Sequence, residues 1–249
     1  MNEDAVPTAP AGSPTPAAAR RLIAPLWHTG VLLAVLAALT AYGIYMQSIA
    51  RSGTQLVQHR GSALPIYLML IVFEWGLLRF VTAAGLRRTG TRLRDLIGER
   101  WESWKDVLRD VAIALAVWAV WAALETFVGQ MLGKDSAKDI SSLLPRDPLE
   151  IAVWVALSLT AGFCEEAVFR GYLQKQIQAL TGNTLVAVLA QAVIFGASHG
   201  YQGLRNVIAI TAFGALFGAL AIWRRSLKPG MILHAWTDVF SGIFARRGA

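Results

Sequence analysis

The sequence predicts an all-α, polytopic membrane protein with about seven transmembrane helices, and three observations support this fold class. Apolar residues make up 55% of the 249 residues and charged residues only 16%, whereas soluble domains contain roughly 25% charged residues. The apolar residues form blocks of about 20, the length of helix that crosses a hydrocarbon core of ~30 Å. The formal net charge of +7 fits a membrane protein, because Lys and Arg in short loops set the topology.

The apolar blocks predict the positions of the helices. Residues 1–24 are rich in Pro, Ala, Ser and Thr and predict a disordered tail, and residues 25–249 form one membrane-embedded domain. An amphipathic segment at 171–180 continues the fourth helix, and a turn follows at 181–183. The fifth block is the shortest, so a re-entrant or interfacial position is an alternative for it. The seven predicted spans are about 30–50, 64–86, 108–132, 149–171, 183–199, 204–223 and 229–245.

The basic residues in the connections predict the orientation. With a cytoplasmic N-terminus, thirteen Lys and Arg residues lie inside and eight outside, and the segment 87–107 carries most of this difference. The Arg- and Ala-rich composition favours a bacterial source, so we expect an integral protein of a bacterial cytoplasmic membrane, surrounded by the lipid bilayer. No basic cluster alternates with aromatic residues, so nucleic acid is not expected as a partner.

Ionisable residues within the apolar blocks are the first indication of function, because charges inside a membrane are costly. Any single one can be explained as a polar contact that fixes helix packing, and we expect that role for Glu74, Arg79 and Glu125. The other six residues cluster in three consecutive motifs. The nine residues are Glu74, Arg79, Glu125, Glu165, Glu166, Arg170, His199, His234 and Asp238.

The first motif is Glu165-Glu166-Ala-Val-Phe-Arg170, in the fourth predicted helix. Residues four apart share a helix face, so Glu166 and Arg170 are expected to form an ion pair. Glu165 lies about 140° away from Arg170 around an α-helix. It is therefore expected to be unpaired and to point into a cavity, where a poorly solvated carboxylate suits a general base.

The second and third motifs each place a histidine four residues from a partner on one helix face. In the fifth helix, Phe195 precedes His199, and a turn near residue 182 would bring His199 and Glu165 to the same depth of a helical hairpin. In the seventh helix, His234 precedes Asp238. Two interpretations remain open for this pair: Asp238 orients His234, or both residues face a substrate.

These three motifs, in this order, resemble the CPBP family of CAAX proteases and bacteriocin-processing membrane proteases. The family is also called Abi and is related to the type II CAAX prenyl endopeptidase. The matching patterns are EExxxR at 165–170, FxxxH at 195–199 and Hxxx(N/D) at 234–238, and the resemblance covers residues 149–245.

The resemblance implies an intramembrane glutamate-dependent endopeptidase. No cofactor is expected, because the Glu165–His199 couple already supplies a base. The resemblance assigns Glu165 and His199 to the activation of water, and His234 and Asp238 to stabilisation of the oxyanion. Glu166, Arg170 and Phe195 would hold the site in shape. The eukaryotic relatives carry Asn where this chain has Asp238, and an ionised Asp cannot donate a hydrogen bond. Asp238 must then be protonated or act by orienting His234.

Three alternatives compete with this interpretation. Glu165, His199, His234 and Asp238 could be the ligands of a zinc metalloprotease, although no HExxH pattern is present. A non-catalytic immunity or scaffold protein would have little reason to keep every polar motif residue, and a transporter would favour repeats or broken helices. The expected substrate is a peptide or a membrane protein, and the family label does not show that prenylated proteins are cut.

Overall fold

The computed structural model describes residues 21–52, 61–132 and 143–244, and every regular element within these ranges is helical. The all-α prediction is thus confirmed. Two π-helical stretches, Val81–Leu86 and Glu166–Leu173, make α2 continuous with α3 and α6 continuous with α7. The α-helices are α1 (Leu26–Ser52), α2 (Leu64–Phe80), α3 (Arg87–Thr89), α4 (Leu93–Ile97), α5 (Trp104–Leu132), α6 (Pro148–Glu165), α7 (Gln174–Thr181), α8 (Thr184–Ser198), α9 (Leu204–Arg224) and α10 (Lys228–Phe244).

Four helical segments among the described residues are long and apolar enough to cross a membrane. α8 is apolar but has only 15 residues, and α5 and α10 overlap the other two predicted spans. The seven crossings therefore stay a prediction. The four segments are Leu26–Ile49, Leu64–Thr89, Pro148–Thr181 and Leu204–Arg224.

Polar contacts between helix ends define the two ends of the bundle. At one end, the Lys175 ammonium of α7 donates to the carbonyl oxygen of Asp95 in α4, 3.3 Å away. At the other end, the Glu150 carboxylate in the first turn of α6 accepts hydrogen bonds from Ser62 Oγ and from the Ala63 amide, at 2.9 and 2.8 Å. The basic segment 87–107 thus lies at the end opposite to the start of α6.

The connection between α7 and α8 has the predicted position and an identifiable local cause. Gly182 takes the left-handed conformation with φ of 68°, which ends α7 as glycine commonly does. Asn183 then caps α8, because its side-chain oxygen accepts a hydrogen bond from the Val186 amide. The two helices therefore form a hairpin, as the sequence predicts.

The fourth predicted span departs from the α-helix that its apolar pattern predicts. Its helix changes to π-helical hydrogen bonding at Glu166 and returns to the α form at Gln174. A π-helical turn contains more residues than an α-helical turn and is frequent at functional sites. The angle between side chains estimated for an α-helix therefore does not hold across the first motif.

Glycine allows close helix contact where the motifs meet. A Cβ atom on Gly162 of α6 would lie 2.9 Å from both the Ala235 amide nitrogen and the Met231 carbonyl oxygen of α10. A Cβ on Gly196 of α8 would lie 2.8 Å from the Val207 carbonyl oxygen of α9. Small residues at these positions let the helix backbones approach each other, as is common between membrane helices.

The last residues of the predicted N-terminal tail form hydrogen bonds with α7. Residues 1–20 of that tail lie outside the described residues. The backbone amides of Ile23 and Ala24 donate to Oε1 of Gln176, at 3.0 and 3.2 Å. The end of the predicted tail is thus bound to the helix that carries the first motif.

Candidate active site

The first motif forms a buried ion pair. Arg170 Nη1 lies 2.8 Å from Oε1 of Glu166, and both side chains are fully buried. The Arg170 guanidinium also packs over the rings of Phe195 and Phe217, 4.1 and 5.0 Å from their centroids. Ring faces attract cations, so the aromatic residues supply part of the solvation that burial removes. The ion pair predicted from the four-residue spacing is therefore present.

His234 is the point at which the first and third motifs meet. Its Nδ1 lies 3.1 Å from Oε1 of Glu166, the same oxygen that binds Arg170. Its Nε2 lies 3.7 Å from Oε2 of Glu165 and 3.6 Å from Oδ2 of Asp238. Three carboxylates thus surround one buried imidazole.

The geometry of this cluster bears on the expected roles of Glu165 and Asp238. The Glu165 carboxylate lies at ion-pair distance from His234 Nε2, and its Oε2 accepts no hydrogen bond among the described residues. Asp238 Oδ2, 3.6 Å from Nε2, is beyond hydrogen-bond distance, and Glu166 supplies the hydrogen bond that orients the His234 ring. The sequence pattern missed this role because Glu166 and His234 are 68 residues apart and meet only through helix packing.

His199 lies immediately after α8 and shares an aromatic neighbour with His234. The centroid of Phe195 lies 4.9 Å from that of His199 and 6.0 Å from that of His234, so this ring packs against both histidines. His199 Nδ1 lies 2.9 Å from the Phe195 carbonyl oxygen. A carbonyl oxygen only accepts hydrogen bonds, so Nδ1 carries the proton, and a neutral His199 has its lone pair on Nε2.

His199 and Glu165 do not touch each other. Among the described residues, no hydrogen bond or ion pair joins these two side chains. Tyr201 lies near both residues. Its ring centroid lies 6.2 Å from that of His199, and it interacts electrostatically with Glu165 and Asp238. A direct contact between Glu165 and His199 is therefore absent, and their joint action on water stays a prediction.

Glu74 belongs to this site, although the sequence suggested only a packing role. It is 8% exposed, and its carboxyl group is a hydrogen-bonding neighbour of the Glu165 carboxyl group. Arg79 is exposed, and the side chain of Glu125 lies outside the part of the chain that the structure describes. The signal for Glu74 was available in the sequence, since it is an acidic residue near the middle of a highly apolar helix.

The zinc alternative requires several ligand side chains around one point. Within the described ranges, no group of three or more His, Cys, Asp or Glu side chains is placed to hold a metal ion. The Nδ1 atoms of His234 and His199 bond to Glu166 and to a backbone carbonyl, so Nε2 is the nitrogen of each ring that a metal would need, and a metal-free site stays a prediction. Cys164, adjacent to Glu165, is buried.

Comparison with known proteins agrees with the motifs. No curated protein and no solved structure matches the chain. Residues 147–240 match the family model described as type II CAAX prenyl endopeptidase Rce1-like, and this range contains all three motifs and the whole carboxylate cluster around His234. The motif-bearing segment is therefore similar to that family, which confirms the resemblance to the CAAX protease family predicted from the sequence.

Proposed function

We propose that the protein is an intramembrane endopeptidase that hydrolyses peptide bonds with a water activated by Glu165 and His199. The observation that carries this proposal is the convergence of Glu165, Glu166 and Asp238 on His234. The Rce1-like match supports it, because that family is a protease family. The substrate would be a peptide or a membrane protein.

In the proposed reaction, the Glu165 carboxylate accepts a proton from water, and the hydroxide oxygen attacks the carbonyl carbon of the scissile bond. The carbonyl electron pair moves onto oxygen and forms a tetrahedral oxyanion. Collapse of this intermediate breaks the C–N bond, and Glu165 returns the proton to the departing amine. Water bound between Glu165 and Nε2 of His199 would supply the missing contact between these residues.

His234 is suited to stabilise the oxyanion when both of its ring nitrogens carry a proton. Glu166 is paired with Arg170 and accepts hydrogen bonds only, so the His234 Nδ1 must carry a proton. Nε2 can donate to an oxyanion only if it is protonated as well. The carboxylates of Glu165 and Asp238 at 3.7 and 3.6 Å favour that imidazolium. This gives Asp238 an electrostatic role that does not require it to donate a hydrogen bond.

A comparison of cleaved peptides tests the activity. Cells that produce the wild-type protein and cells that produce Glu165→Gln at equal levels are compared by mass spectrometry of new peptide termini in the membrane fraction. We expect a set of termini that depends on Glu165. Identical termini in both cells, at matched protein levels, would favour a scaffold or immunity protein instead.

Metal removal tests the mechanism. Since no described group of side chains is arranged to hold a metal, we expect cleavage of an identified peptide to survive exhaustive chelation. Metal content is measured by mass spectrometry on the same samples. Stoichiometric zinc that is lost together with activity, and restores activity when it is returned, would establish the zinc alternative with ligands among Glu165, His199, His234 and Asp238.

A further inference from the structure

Glu74 is the acidic residue in the site for which the three motifs give no role. It lies on α2, in a segment apolar enough to cross a membrane, and is more than nine-tenths buried. The next residue, Trp75, packs against Phe163 of α6 with ring centroids 5.8 Å apart. This contact places α2 alongside the last turn of α6, and the Glu74 carboxyl group reaches that of Glu165.

A hydrogen bond between two carboxyl groups requires a proton, because ionised carboxylates only accept. Two carboxylates in direct contact in a buried site would also repel each other strongly. Glu165 lies 3.7 Å from Nε2 of His234, whereas no described ion pair involves Glu74, and the Oε2 atoms of both residues have no other hydrogen-bond partner in the described part of the chain. The negative charge therefore belongs on Glu165, beside the imidazole, and the proton on Glu74.

We propose that Glu74 is a positioning residue that holds the general base Glu165 in place by donating a hydrogen bond to it from its protonated carboxyl group. The inference rests on the proposed function, since it assigns Glu74 a task only if Glu165 acts on water. The hydrogen bond fixes one carboxylate lone pair of Glu165 and thereby its rotamer. The remaining lone pairs stay available to water, as a preorganised base requires.

Two substitutions at one position separate positioning from packing. Glu74→Gln keeps the shape and supplies an amide N–H donor, and Glu74→Met keeps the length without a donor. We expect Glu74→Gln to retain kcat within about threefold of wild type. Glu74→Met should lose kcat by on the order of tenfold to a hundredfold, as small displacements of a reacting group do. KM should stay unchanged in both variants, and the melting temperature of each purified variant is measured alongside.

The kinetic outcomes are decisive in both directions. A wild-type kcat in Glu74→Met would overturn the inference, as would equal losses in both variants that follow their melting temperatures. Glu165→Gln distinguishes the two proposals. If it is inactive while Glu74→Met is fully active, only the positioning role fails. If it cleaves at the wild-type rate, the general-base assignment fails and the positioning role fails with it.

An infrared measurement tests the proton without relying on activity or on the stability of Glu74→Met. The difference spectrum between wild type and Glu74→Gln at neutral pH should contain the C=O stretching band of a buried, protonated carboxyl group. Absence of that band in a folded wild-type protein would overturn the assignment of the proton to Glu74, and with it the inference.

Discussion

At the scale of residues, Glu166 joins the parts of the site. A single carboxylate oxygen binds both Arg170, at 2.8 Å, and Nδ1 of His234, at 3.1 Å. Its other oxygen lies 3.2 Å from where a Cβ on Gly230 would be, so the start of α10 leaves little room for a different rotamer. Adjacent glutamates in the same motif therefore do different things: Glu166 fixes the ring of His234, and Glu165 faces the reactive side of that ring.

The first prediction separates these two glutamates. Glu165→Gln is isosteric and leaves the Arg170 ion pair intact, so the protein should keep its melting temperature and lose all cleavage. Glu166→Gln leaves a buried guanidinium without its counter-ion, which costs about 3–5 kcal/mol when one partner of a buried pair is removed. Its melting temperature and yield should fall together with its activity.

Melting temperature in detergent and single-turnover cleavage are measured for both variants. Appreciable cleavage by a well-folded Glu165→Gln protein would remove Glu165 from the proposed mechanism. A Glu166→Gln protein with wild-type stability and activity would show that the Arg170 ion pair is dispensable.

At the scale of elements, the site depends on the close packing of α6 against α10. Gly162 is three residues before Glu165 and lies against the α10 backbone next to His234. The Trp154 indole, further towards the start of α6, donates to the Asp238 carbonyl oxygen over 2.9 Å. These contacts set the distance between the two helices, and this distance determines whether the carboxylates reach the imidazole.

The second prediction tests this dependence with one methyl group. In Gly162→Ala, the new Cβ would lie 2.9 Å from two backbone atoms of α10, so the helices must move apart. We expect a loss of about 1–3 kcal/mol in stability from overpacking. Cleavage should fall on the order of a hundredfold, because a shift of ~1 Å displaces the reacting groups.

Gly76→Ala on α2 is the matched control, since nothing lies within 4 Å of its Cβ, and it should behave as wild type. Both variants are compared by melting temperature and kcat. Equal activity in the two variants would show that the spacing of α6 and α10 does not control the site.

At the scale of the whole molecule, the chain is an integral membrane protein, and the basic segment 87–107 lies at the end of the bundle where α4 meets α7. The exposed segment that contains Arg92 and Arg94 meets α7 through Lys175 and Asp95. Positive charge in short loops favours the cytoplasmic side. We therefore expect this end, and with it the N-terminus, to face the cytoplasm.

The third prediction tests this orientation by cysteine labelling. Cys164 is buried and should react little with a labelling reagent. The label therefore reports on the single cysteine that is introduced. Arg94→Cys should react only after the membrane is made permeable. Gly61→Cys, at an exposed position of the opposite end, should react with an impermeant reagent in intact cells. The reverse pattern would invert the orientation.

The sequence by itself determined the helical class, the turn at Gly182, the Glu166–Arg170 ion pair and the family resemblance. Each of these follows from local information: composition, the conformational freedom of one glycine, the spacing of residues along one helix, and motifs read in order. Residues 25–132 carry no family motif, so the sequence indicates only a packing role for Glu74.

Only the tertiary structure decided which polar groups face each other. Glu74 reaches Glu165 because α2 packs on α6. Glu166 reaches His234 because Gly162, which has no side chain, lets α10 pack close to α6. The π-helical stretch that begins at Glu166 also changed the angles that an α-helix would give. Contacts of this kind depend on the distances and rotations between helices that are far apart in the chain, and the periodicity of a single helix carries no information about them.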